Sequence, residues 1–262
     1  MPIELKPTSP RDAIEALITR GKALDPSFNW QEIYAELHST AFTVAKSAGF
    51  DVLEDIYNAL LAALDEGQTY EQFAKGLVPL LQAKGWWGRK TVTNPHTGLL
   101  ESAQLGSTRR LNLIFGANMR VSYAAGHWAS FERNKAVRPL LRYVHLQGQE
   151  HPRLQHEAWH NIVLPIDDPW WNTHACPNGW NCHCTIQSLS ERDVTRLQAQ
   201  GEQLRFTAPP IETRAWTNKA TGETRYIPVG IDPGWDHNPG KDGWQQTLRR
   251  LADKPDPLGI RG

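Results

Sequence analysis

The chain has 262 residues, enough to bury a sizeable core in one or two domains, and its 28 Lys and Arg balance 28 Asp and Glu. That balance excludes a global field drawing the protein to nucleic acid or a membrane surface. No apolar run approaches the ~20 residues that span a bilayer, so a soluble protein is expected. Eleven tryptophans beside 18 prolines and 20 glycines indicate irregular segments anchored by large rings.

In chain order, Ser9-Pro10 reads as a cap and first-turn proline for a helix from Arg11 to Lys22, which Asp25-Pro26 ends. A long helix is expected from Trp30 to about Ala48, with Ile33, Leu37, Ala41 and Val44 on one stripe. The pattern resumes from Val52 to Leu64 and closes at Glu66-Gly67. Thr69 with Gln72 forms a capping box for a further helix, whose apolar side carries Phe73, Leu77, Leu80 and Leu81. Gly85-Trp86-Trp87-Gly88 makes an aromatic corner, Arg89 to Gly98 reads as a polar loop, and Ala103 to Asn134 as a helix.

Leu140 to Leu146 and Thr185 to Leu189 read as strands, and Ser190 to Asp193 opens a helix through about Ala199. Arg214 to Thr217 and Thr224 to Val229 read as a hairpin, followed by loop and a short helix from Gln245 to Ala252. The fold class is therefore α+β. A helical region over residues 1–136 precedes an irregular Cys/His-containing module over residues 137–240, with a short helix and loose tail over 241–262.

All three cysteines fall between His156 and Cys184, together with His156, His160, His174 and His183. Thiolate sulfur and imidazole nitrogen are the usual partners of tetrahedral zinc. The turn at Pro177-Asn178-Gly179 brings Cys176 back toward Cys182 and Cys184. A disulfide is the weaker reading, because three cysteines cannot all pair, a bridge across two residues is strained, and no secretory signal is found. The expected ligands of a structural zinc are His156, Cys176, Cys182 and Cys184, with His160 and His174 competing with Cys176 for the fourth place. His183 alternates away from its neighbours.

His156-Glu157-Ala158-Trp159-His160 also matches HExxH, the zinc-protease motif in which the glutamate is general base. A zinc-dependent hydrolase, protease or nuclease, with Glu157 as base is the alternative reading. Its context is poor, since Pro152 and Pro165 confine any helix there and nearby thiols would fill the position that catalysis keeps open. A third reading is DNA contact through Arg109, Arg110, Arg133, Lys135, Arg138 and Arg142.

Several signatures in one order resemble the phage Mu protein F family of minor head, or head morphogenesis, proteins of tailed phages and prophages. They are Gly85-Trp86-Trp87-Gly88, the Arg109-Arg110-Leu111 helix with Asn118 and Ala125-Gly126, Asp168-Pro169-Trp170-Trp171, Pro177 through Cys184, and Val229 through Trp235. The family pattern carries a histidine at His156 and Cys-x-Cys at Cys182 and Cys184, with Arg often at 183 and Pro at 176. The resemblance implies a non-enzymatic virion component of the phage head, made in the host cytoplasm. It would act with portal, major capsid or scaffold proteins at the portal or procapsid interior, in assembly and in DNA packaging or ejection. No membrane or small-molecule substrate is implied.

Overall fold

The computed structural model describes residues 10–27, 42–47, 51–94, 98–146, 152–219 and 222–241. The expected helix from Gln245 to Ala252 and the tail lie outside them, as does most of the expected helix from Trp30 to Ala48.

Helix α1 (Arg11–Gly21) has Pro10 at its N-cap and buries Ala13 and Leu17. Helix α2 (Leu53–Glu66) ends at Gly67, whose φ of 66° supplies the left-handed cap. In α3 (Tyr70–Ala83) the Thr69 side chain accepts from the Gln72 amide while the Gln72 side chain accepts from the Thr69 amide, so the capping box forms. The long helix α4 (Thr108–Asn134) starts at Ser107, which accepts from the Arg110 amide.

Three expectations fail here, one of them the start of α4, expected at Ala103 and found at Thr108. The end of the long predicted helix is non-helical over residues 42–47. Phe42 instead donates to the Ala23 carbonyl at 2.8 Å and accepts from the Asp25 amide at 3.0 Å. Its backbone groups are thereby spent on a bridge to the segment after α1, where a helix would have needed them. The expected polar loop contains strand β1 (Arg89–Thr93), which pairs antiparallel with β2 (Leu100–Gln104). Both strands are largely exposed, so neither carries the apolar alternation by which strands are read.

Strand β3 (Leu140–Val144) is the centre of a three-stranded antiparallel sheet. It lies between β4 (Val163–Pro165) and β5 (Thr185–Leu189). The one-turn helices α5 (Leu154–Ala158) and α6 (Trp171–His174) flank β4 in the chain. Helix α7 (Glu191–Ala199) opens on a second capping box, Ser190 with Asp193. Strands β6 (Thr213–Thr217) and β7 (Thr224–Pro228) form the expected hairpin.

Two of the three buried clusters among the described residues share α4. Its N-terminal part gives Leu111 to a cluster with α1, α2, α3 and Trp86. Its later turns give Ala117, Trp128 and Phe131 to a second cluster with Leu141, Tyr143, Trp159, Trp170, Trp171, Cys176 and Cys182. The aromatic rings there meet edge to face: Trp159 and Trp170 at 5.9 Å, Tyr143 and Trp159 at 5.7 Å. α1 crosses α4 closely enough that a Cβ on Gly126 would stand 2.7 Å from the Ala13 backbone nitrogen.

Candidate metal centre

His156 is on α5, and Cys182 and Cys184 lie in the segment just before β5. The Pro177-Asn178-Gly179 turn brings these pieces together, and it is held from several sides. Asn178 is buried, accepts from the Tyr143 hydroxyl at 2.9 Å and, through its carbonyl, from the Asp232 amide at 3.0 Å. Asp232 takes both Nη atoms of Arg153, at 2.9 and 2.8 Å, and the Trp180 amide at 2.9 Å. Gly179 is required beneath this pair, since a Cβ would sit 2.6 Å from Arg153 Nη1.

The His156 Nδ1 lies 3.6 Å from the sulfur of Cys182 and 3.6 Å from that of Cys184. All three donor atoms are within 4.8 Å of one another. His156 is buried, its ring stacks on Trp159 with centroids 5.0 Å apart, and its Nε2–H donates to the Gly230 carbonyl at 2.8 Å. A carbonyl can only accept, so the proton resides on Nε2 and the Nδ1 lone pair faces the thiols. A backbone carbonyl holding one ring nitrogen in this way is what orients a histidine whose other nitrogen binds a metal. With Zn–S of about 2.3 Å and Zn–N of about 2.0 Å, tetrahedral geometry separates sulfur and nitrogen by about 3.5 Å. The residues present therefore fit a tetrahedral metal.

The thiols are electrostatically unequal. A hydrogen bond from Cys184 holds the Cys182 thiol well below its ordinary pKa, whereas the same contact with Cys182, then burial, holds Cys184 up. Tyr143 is raised by burial and then by the three neighbouring cysteines.

The other expected ligands stand apart from this trio. Cys176 is buried in the same cluster, its thiol raised by burial and then by Cys182, and its sulfur is outside the 4.8 Å group. His174 stacks on Trp170 at 4.4 Å and its Nδ1 pairs with the Thr173 hydroxyl at 2.8 Å. His160 lies beyond α5, and its Nδ1 accepts from the His145 amide at 3.2 Å. The two histidines of HExxH therefore do not converge: His156 faces the thiols, His160 faces β3, and Glu157 is exposed. His183 is exposed.

Sequence reasoning missed His145, which is buried just past β3 with Nδ1 3.4 Å from the Cys184 sulfur. It sits outside the Cys/His-rich stretch, and only the β3–β5 pairing of Val144 with Thr185 brings it near. The basic residues suggested for DNA contact are mostly engaged within the chain. Arg133 pairs with Asp12, Lys135 with Asp167, Arg138 with Asp193 and Arg142 with Glu202. Arg110 binds the carbonyls of Gln104, Leu105 and Ala45.

The family model described as "Phage Mu protein F like protein" matches residues 54–187, half of the chain, and that span includes His156, Cys182 and Cys184. The chain belongs to the Phage Mu protein F-like family. Two relatives of this Mu F-like chain are curated. One, described as "Putative capsid assembly protein F", is from Escherichia phage Mu and is 35% identical over 94% of this chain and 58% of its own length. The other, the "Mu-like prophage FluMu F protein" of Haemophilus influenzae, is 32% identical over 82% of this chain and 53% of its own. The Mu F-like chain thus spans little more than half the length of either. No solved structure matches it significantly. Among the described residues no helix is long and apolar enough to cross a membrane.

Proposed function

We propose that this protein is a minor head protein of a Mu-like phage or prophage, acting in head morphogenesis. The observation that carries this reading is the 35% identity to the phage Mu capsid assembly relative across 94% of the chain. It is made in the host cytoplasm and carried in the head, where it meets portal, major capsid or scaffold proteins at the portal or procapsid interior and takes part in DNA packaging or ejection. It performs no turnover. The trio of His156, Cys182 and Cys184 is a structural site for zinc, and its fourth ligand is Cys176 or His145. Zinc there ties α5 to the approach to β5, so that metal binding free energy becomes folding free energy for a module of short elements.

Deleting the gene from an inducible phage and imaging lysates tests the role. Normal yields of filled heads, or purified particles lacking the protein, would refute it. Zinc is tested by elemental analysis of the purified chain, with one equivalent expected. Cobalt substitution then separates the fourth ligands, because three thiolates give a stronger sulfur-to-metal charge-transfer band than two.

A further inference from the structure

A second candidate site lies where the two clusters that share α4 meet. We propose that the cavity bounded by α1, α4, residues 42–45 and the loop from Pro233 to His237 binds a monocarboxylate with an apolar body. The cavity holds about 360 Å³, within the range of small-ligand sites. Phe42, Val44, Ile114, Val121 and Trp235 are among its apolar lining.

Its polar end is unfinished. Arg20 lines the cavity and is only 7% exposed. Its Nη2 donates to Asn118 Oδ1 at 2.9 Å and lies 3.5 Å from the Ser122 hydroxyl. Its buried Nε has no hydrogen-bond partner among the described residues. Burial lowers the guanidinium only to about 10, so it stays charged at neutral pH. None of the ion pairs among the described residues brings a carboxylate to it. A buried cation without a counter-charge is costly, and an anion supplied from outside would relieve that cost.

His237 borders the same space, with its Nδ1 buried and likewise lacking a partner. Burial, then Arg20, pushes its pKa down to about 4, so it is a neutral second polar contact. The nearby Arg110 is committed to backbone carbonyls and lies over the Trp86 ring. Arg110 aside, one cationic contact without an ion pair among the described residues lines the cavity and matches one negative charge; a dianion such as phosphate would bring excess charge into apolar surroundings. A carboxylate facing Arg20 Nε would gain a charge-assisted hydrogen bond, while an aliphatic body covers the apolar wall.

The test uses the whole chain and its tryptophan fluorescence, since Trp180 and Trp235 line the cavity. Sodium octanoate is expected to bind saturably, one per chain, and about tenfold or more tighter than octanol of the same length. Arg20→Met is expected to erase that preference while keeping the octanol affinity. Ala117→Phe, which fills the cavity from α4, is expected to remove both, with its melting curve confirming the fold. Equal affinities for octanoate and octanol in the unmodified chain, or no saturable binding, would overturn the site regardless of how Arg20→Met folds. Tighter binding of N-acetyl-leucyl-leucine than of octanoate would assign the carboxylate to a polypeptide end, and the reverse to a free amphiphile.

Discussion

The Nε2–H of His156 donates to the Gly230 carbonyl at 2.8 Å, and this one hydrogen bond directs the opposite nitrogen at two thiols 26 and 28 residues downstream. Gly230 has φ of 94°, and a Cβ there would stand 2.8 Å from Gln155 Cβ and 3.0 Å from the Trp159 ring. Gly230→Ala therefore must displace either the carbonyl or α5. The expected result is a loss of about 1–3 kcal/mol in stability and about tenfold or more in zinc affinity. Denaturant titration and competition with a chromophoric chelator measure the two, and an unchanged zinc affinity would show that the carbonyl does not orient the ring.

Structural and catalytic metal make opposite forecasts for two substitutions. Cys182→Ser removes a buried thiol of the proposed zinc site, so it is expected to abolish zinc retention and lower Tm by several degrees, as is a strong chelator applied to the unmodified protein. Glu157→Gln alters an exposed side chain and is expected to change stability by less than about 0.5 kcal/mol. Thermal melts paired with metal content decide between them. A Glu157→Gln protein that folds normally but loses a hydrolytic activity would revive the protease reading.

Tyr143 and Asn178 make a buried hydrogen bond that holds the turn under the thiols. Tyr143→Phe keeps the ring contacts with Trp159 and Trp170 but leaves Asn178 Oδ1 without the hydroxyl that donates to it. A destabilisation of about 1–3 kcal/mol is expected from equilibrium unfolding. A neutral result would mean that water replaces the hydroxyl.

His237 supplies a pH dependence with a definite sign. Its pKa falls from the ordinary 6.5 to about 4 in the fold, because burial, then Arg20, disfavours the cation. The neutral form is thus favoured by folding: its contribution is complete above the unfolded value and is lost as pH falls from about 6.5 toward about 4. Between about pH 7.5 and about pH 5 this group alone should remove about 2 kcal/mol. His237→Phe is expected to flatten that part of the stability profile, and an identical slope in both proteins would assign the loss elsewhere.

The crossing of α1 over α4 depends on Gly126, where a Cβ would meet the Ala13 backbone nitrogen at 2.7 Å and the Asp12 carbonyl carbon at 3.0 Å. Backbone cannot rotate aside as a side chain can, so Gly126→Ala should cost about 1–3 kcal/mol despite improving helix propensity. Urea unfolding measures it, and a gain in stability would show that the helices separate freely.

The sequence by itself determined the features whose hydrogen bonds are local. Thr69 with Gln72 and Ser190 with Asp193 cap helices through contacts three residues apart, Gly67 closes α2 from the next position, and the β6–β7 hairpin joins neighbours in the chain. The grouping of His156 with Cys182 and Cys184 was also legible, because sulfur and imidazole donors announce themselves wherever the chain puts them, whereas Cys176, expected beside them, stays outside the group. Only the tertiary structure decided which donors meet. Strand pairing across β3 and β5 delivers His145 to Cys184, the Gly230 carbonyl fixes the tautomer of His156, and His160 turns away to the His145 amide. The bridge at Phe42 and the exposed β1–β2 pair escaped sequence reading for the same physical reason: their backbone partners come from distant or polar stretches whose side chains leave no periodic trace.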